Sequence, residues 1–84
     1  MESNQEINQR FDKVKQLRDE LRVQANLGKK ELKERWERAE SEFQNVQGRL
    51  KTLREKGEES TEKFRRETLE MVDHLRNRFE SLRN

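Results

Sequence analysis

The chain has 84 residues, of which 45% are charged and 27% hydrophobic, and its net charge is +2. Charged residues make up about 25% of an ordinary globular domain, and folding must offset roughly 1–2 kcal/mol of backbone entropy per residue, so this composition disfavours a compact globule that stands alone. The chain has no proline, three glycines and nearly balanced charge, which is also unlike a disordered protein. The sequence therefore predicts an elongated helix that shares its apolar face with other chains.

The first residues carry a signal for the start of a helix. Ser3 and Glu6 have the spacing of a capping box and stand just before Ile7.

No apolar run near the N-terminus resembles a signal peptide, and no stretch approaches the ~20 apolar residues that a membrane span requires. The absence of cysteine excludes disulfides and thiolate metal sites. We expect a cytoplasmic protein.

An apolar stripe then continues along the chain in steps of three or four residues and carries no charged residue, which is the pattern of one amphipathic helix face. Ser60 and Thr68 fill two of its positions. The others form the predicted oligomer core, which consists of Ile7, Phe11, Val14, Leu17, Leu21, Ala25, Gly28, Leu32, Trp36, Ala39, Phe43, Val46, Leu50, Leu53, Gly57, Phe64, Met71, Leu75, Phe79 and Leu82.

The period of the stripe predicts how the helices wind. Residues 21–43 and 53–75 advance in eleven-residue units, which favour a right-handed supercoil, and the segment between them is tighter. We therefore predict an all-α fold. One long amphipathic helix over residues 4–83 forms a homo-oligomeric, nearly straight to right-handed coiled coil, with residues 1–84 as a single domain. Eleven-residue repeats bury a wide face, which Leu69 and Val72 would join, and this width favours a tetramer over a trimer or dimer.

A compact three-helix bundle is the alternative. Gly28 and Gly57 are candidate turns, because glycine often follows the last residue of a helix, and Ser60 or Thr61 could cap a new helix. We rank this fold second because the stripe keeps its phase through both glycines. The sequence alone leaves open whether Gly28 and Gly57 are turns.

Catalytic and ligand-binding signals are sparse. The chain has one histidine, His74, which we interpret as a helix-surface residue, and it contains no phosphate loop, paired-histidine spacing or dinucleotide fingerprint. The carboxylates alternate with basic residues, as in the pairs Glu31–Arg35, Glu34–Arg38 and Glu62–Arg66. We predict no enzyme activity, no catalytic residue, no cofactor, no metal and no small-molecule substrate.

Basic and acidic residues are interleaved, which disfavours a nucleic-acid surface, so no nucleic-acid partner is predicted. Residues 61–84 place arginines beside a strongly apolar face, as in helices that lie on membranes, although acidic residues dilute that charge. Binding to a membrane, lipid or granule surface is therefore an alternative function.

The segment LGKKELKERWERAESEFQNVQGRLKTL (27–53), followed by GEESTEKF (57–64) and an amphipathic tail, resembles small, mostly uncharacterised bacterial coiled-coil proteins with eleven-residue periodicity. That resemblance implies bacterial origin, cytoplasmic location and self-association.

The function we predict is that of a non-catalytic structural protein that associates with itself. An adaptor that pairs with another helical protein is a further alternative.

Overall fold

In the computed structural model, which describes residues 4–28, 30–59 and 61–83, the chain forms three α-helices. Helix α1 spans Asn4–Leu27, α2 spans Lys30–Lys56 and α3 spans Glu62–Ser81, with a short 3-10 turn at Gly57–Glu59. The molecule measures 44 × 17 × 16 Å. This length matches one 27-residue helix, at about 1.5 Å per residue, rather than a rod of the whole chain, which would extend for about 120 Å.

The all-α prediction is confirmed, but the single long helix is wrong, and the three-helix alternative is the fold that forms. Contacts between the helices fix their directions. Arg10 pairs with Asp73 and Glu20 with Arg83, so α1 and α3 run parallel. Phe11 contacts Phe43 and Arg18 pairs with Glu40, so α1 and α2 run antiparallel. Trp36 contacts Phe79 and Arg49 donates to Thr68, so α2 and α3 run antiparallel as well.

Gly57 ends α2 because it adopts a backbone conformation that other residues avoid. Its φ is +53°, the left-handed region in which a glycine commonly closes a helix. Thr61 then starts α3 as its N-cap, and its side-chain oxygen accepts a hydrogen bond from the backbone N–H of Phe64 at 3.1 Å. The proposed caps at Ser3 and Ser60 lie outside the described residues.

Gly28 forms the other turn through a close approach. A Cβ at this position would lie 2.5 Å from Cδ2 of Leu32 and 3.1 Å from the carbonyl oxygen of Gln24. The Gly28 N–H donates to the carbonyl of Ala25 at 3.4 Å, which tightens the end of α1. Leu32, in the first turn of α2, therefore lies close to the Gly28 backbone.

The continuous phase of the stripe predicted one continuous helix, and there is a physical reason why that prediction was wrong. Steps of three and four residues can be combined to bridge almost any turn, so an unbroken stripe does not require an unbroken helix. Folding the chain at Gly28 and Gly57 brings three segments of the stripe face to face. A lone helix would leave this apolar surface in water and would be marginal in stability.

The core lies on the bundle axis inside one chain. Of the predicted core residues, Leu32, Trp36, Gly57, Phe64 and Met71 are partly buried and Gly28 is exposed. The remaining ones are buried, namely Ile7, Phe11, Val14, Leu17, Leu21, Ala25, Ala39, Phe43, Val46, Leu50, Leu53, Leu75, Phe79 and Leu82. Leu69 and Val72 are buried too, as the wide face predicted, while Val23 is 63% exposed.

Alanine substitutions at two glycines should change stability in opposite directions. Gly57→Ala forces a side chain into the left-handed region and should lower the free energy of unfolding by about 1 kcal/mol. Gly48 lies within α2 with no atom near its missing Cβ, so Gly48→Ala should raise that free energy by about 0.5–1 kcal/mol. Urea unfolding monitored by circular dichroism measures both changes. Equal shifts would contradict the turn at Gly57.

Folding should not require association, because the apolar stripe is buried within the chain. We expect the helical signal at 222 nm to stay constant over a roughly hundredfold dilution, whereas a fold that depends on oligomers would melt. Light scattering on the same samples gives the mass, to be compared with 10.3 kDa for one chain. Helicity that falls on dilution together with the mass would contradict the intramolecular core.

Candidate interaction surfaces

Each pair of helices in the bundle forms a surface groove, and the three grooves differ in charge. Among residues 4–28, 30–59 and 61–83, no group of three or more histidine, aspartate or glutamate side chains is placed to hold a metal ion. His74 lies on the surface, and its Nε2 accepts a hydrogen bond from Nε of Arg78 at 3.3 Å.

The α1–α2 groove is basic. It has a volume of about 670 Å³, and its charged lining residues are Lys15, Arg18, Lys51 and Arg54. Arg18 is neutralised by Glu40, to which its Nε donates at 2.7 Å, and this hydrogen bond raises the pKa of the Arg18 guanidinium. The other three cations have no carboxylate partner among the described residues.

Arg18 also joins the groove to the core. Its guanidinium carbon lies 4.5 Å from the centroid of the Phe43 ring, and that ring stacks on Phe11 at 4.9 Å. A cation over an aromatic face is attracted by the ring quadrupole, so Arg18 covers the edge of the core while its charge faces Glu40. The same residue thus links α1 to α2 by an ion pair and by apolar contact.

The α1–α3 groove carries both signs of charge. Arg10 donates to Asp73 at 2.9 Å and to Glu6 at 3.0 Å. The attraction of Asp73, through charge first and its hydrogen bond second, raises the pKa of Arg10. Farther along the groove, Arg83 pairs with Glu20 at 2.9 Å. The Arg10–Asp73 and Arg83–Glu20 pairs cross between the parallel helices and neutralise part of the charge of the groove, which Lys13 also lines.

The α2–α3 groove combines an apolar floor with acidic walls. Its volume is about 530 Å³, and its lining residues are Glu42, Asn45, Val46, Glu67, Glu70, Met71 and His74. Val46 is buried and Met71 is partly buried, so they form the floor.

The acidic walls of the α2–α3 groove are only partly neutralised. Glu42 pairs with Arg78 at 3.2 Å, and Glu67 pairs with Arg49 at 3.4 Å. Glu70 has no ion pair among the described residues. The groove therefore keeps at least one free carboxylate beside an apolar floor.

The sequence does not predict these grooves, because the alternation of acidic and basic residues is equally typical of helix faces that are exposed to solvent throughout. One feature of the sequence does indicate the basic groove. A single face of α2 contains basic and neutral residues but no acidic ones, namely Gln44, Gln47, Gly48, Lys51 and Arg54. What that face adjoins depends on how the helices pack. Of the predicted helical ion pairs, Glu62–Arg66 forms at 3.4 Å. Glu31–Arg35 and Glu34–Arg38 do not form among the described residues.

Within the described residues no helix is long and apolar enough to cross a bilayer. In comparisons with known proteins, no family model, no curated protein and no solved structure matches this chain. The resemblance to small bacterial coiled-coil proteins therefore stays a prediction.

The ion pair between Arg18 and Glu40 should be coupled more strongly than a solvent-exposed pair. Both side chains are only 22% exposed, whereas Glu62 and Arg66 are 64% and 66% exposed. A double-mutant cycle with alanine at positions 18 and 40 should give a coupling energy of about 1 kcal/mol, against about 0.3 kcal/mol for the exposed pair. Equal coupling in the two cycles would mean that partial burial does not strengthen the Arg18–Glu40 pair.

Proposed function

We propose that this protein is a non-catalytic adaptor that binds a basic amphipathic helix of a partner protein in the α2–α3 groove. The observation that carries the proposal is the pairing of an apolar floor, Val46 and Met71, with the free carboxylate of Glu70 on its wall. A groove between two helices is the usual site for a partner helix whose apolar residues recur every three or four positions.

The chemistry of the groove favours a partner with lysine or arginine beside its apolar ridge. Glu42, Glu67 and Glu70 line the groove, and Arg78 and Arg49 offset only the first two. A basic helix would face net negative charge along the wall. An acidic helix would be repelled by it, since like charges in contact oppose binding.

Met71 suits the floor of a docking groove. Methionine is unbranched and polarizable, and it adapts to side chains of different shape. A helix seated over the partly exposed Met71 would complete a four-helix arrangement, with its apolar residues packed as in a bundle core. The groove thus supports recognition by shape and charge class rather than by one fixed side chain.

The other functions predicted from the sequence have less support in the fold. Self-association as a tetramer stays a prediction, and the apolar stripe that was expected to drive it is buried inside one chain. Attachment to a membrane or lipid surface also stays a prediction, and it would require that stripe to leave the core. Cytoplasmic location and the absence of enzyme activity stay predictions as well.

A synthetic amphipathic helix tests the adaptor proposal. A labelled peptide with leucines every three or four residues and flanking lysines should bind with a roughly micromolar dissociation constant, measured by fluorescence anisotropy. Glu70→Lys should weaken this binding about tenfold, because it reverses the free charge on the groove wall and breaks no ion pair among the described residues. The same peptide with glutamates in place of lysines should not bind.

Glu34→Lys is the matched control. Glu34 is exposed on α2, has no ion pair among the described residues and does not line the groove, yet the substitution changes the net charge equally. It should leave the affinity for the basic peptide nearly unchanged. Equal loss of affinity in both variants would show a general charge effect and would overturn the groove as the docking site.

A further inference from the structure

A small crevice lies where the start of α2 packs beside the end of α3, and three arginines and one serine hydroxyl line it. It is lined by Arg35, Arg38, Arg78, Ser81 and Leu82 and has a volume of about 130 Å³. Nη2 of Arg35 donates a hydrogen bond to Oγ of Ser81 at 3.1 Å. The crevice is distinct from the acidic groove, which lies farther along the same pair of helices.

The positive charge of this crevice is only partly offset. Arg35 and Arg38 have no carboxylate partner among the described residues, although Glu31 and Glu34 stand four positions before them. Nε of Arg78 lies 3.2 Å from a carboxylate oxygen of Glu42 and also donates to Nε2 of His74. Three guanidinium groups that line one small space repel one another, and an anion placed between them would relieve that repulsion.

Glu42 and Glu80 stand close in sequence to residues that line the crevice, and both are already paired. Glu42 faces Arg78, and Glu80 accepts from Nε of Arg76 at 3.2 Å on the side of α3 that borders α1. Neither lines the crevice. No carboxylate of the described residues lines the crevice, so an anion that enters it would face Arg35 and Arg38 without a competing ion pair.

We propose that this crevice is a phosphate site, filled by the dianion of a phosphomonoester. Arginine suits this role because its planar guanidinium presents paired donors that match phosphate oxygens. Two sources would supply the same chemistry. One is a free phosphomonoester, and the other is a phosphate carried by Ser81 itself.

Ser81 is placed to carry such a phosphate. It is exposed near the end of α3, and its hydroxyl donates to the carbonyl of Arg78 at 2.7 Å. In the modification, Oγ attacks the γ-phosphorus of a nucleoside triphosphate, a P–O ester bond forms, the anhydride P–O bond breaks, the hydroxyl proton passes to solvent and the nucleoside diphosphate leaves. The new group would carry about −1.5 to −2 charges at neutral pH beside Arg35.

Thermal unfolding distinguishes a phosphate on Ser81 that is bound by the arginines from a phosphate on Ser81 that has no partner. Negative charge at the C-terminal end of a helix is ordinarily unfavourable, so a phosphate on Ser81 without partners should lower Tm. With its arginines present, a full chain made by chemical synthesis with phosphoserine at position 81 should instead melt about 4 °C or more above the unmodified chain. In an Arg35→Ala, Arg38→Ala background the same modification should give no rise or a fall.

The free-ligand source is tested by titrating the unmodified chain with phenyl phosphate and following arginine side-chain NMR signals. Saturable shifts that disappear with Arg35→Ala and Arg38→Ala support a ligand site. The matched control is Arg22→Ala with Lys63→Ala, which removes equal charge from exposed residues that line none of the grooves and have no ion pair among the described residues. If only the phosphoserine chain responds, Ser81 is the source. If phenyl phosphate fails to bind and phosphoserine does not raise Tm, the proposal is overturned.

Discussion

The structure depends on burying the apolar stripe of a chain in which only 27% of the residues are hydrophobic. Each helix alone has too little apolar surface to stay folded, so three segments of the stripe must face one another. Phe11 against Phe43 and Trp36 against Phe79 are ring contacts of this core, and each joins residues from different helices. The way in which those three segments pack determines which charged residues line each groove on the surface.

Arginines define the edges of that core. The guanidinium of Arg18 covers the Phe43 ring and that of Arg49 lies 4.2 Å from the centroid of the Phe64 ring, while each also reaches a carboxylate on a neighbouring helix. The long side chain thereby adds apolar contact to a chain that is poor in aliphatic residues. Nε of Arg49 also donates to Oγ1 of the buried Thr68 at 3.1 Å. The high charge content is thus compatible with a compact bundle.

The same arrangement leaves surfaces of different character on the two sides of α2. The side toward α1 presents Lys15, Lys51 and Arg54, and the side toward α3 presents Glu70 beside Met71. A small helical protein whose grooves differ in this way can distinguish partners by the sign of their charge. The adaptor proposal rests on the acidic middle of the α2–α3 interface, and the phosphate proposal rests on the arginines at one end of that interface.

The sequence by itself determined the helical class, the side of each helix that is buried and the absence of charge from that side. Burial of Leu69 and Val72, beside the main stripe, followed from its eleven-residue spacing. Only the tertiary structure decided that the stripe closes on itself at Gly28 and Gly57, because steps of three and four residues fit a bent chain as well as a straight one. Only the tertiary structure also decided which charges share a groove. The Arg18–Glu40 pair and the approach of Arg35 to Ser81 join residues that are far apart in sequence, and local periodicity carries no information about such contacts.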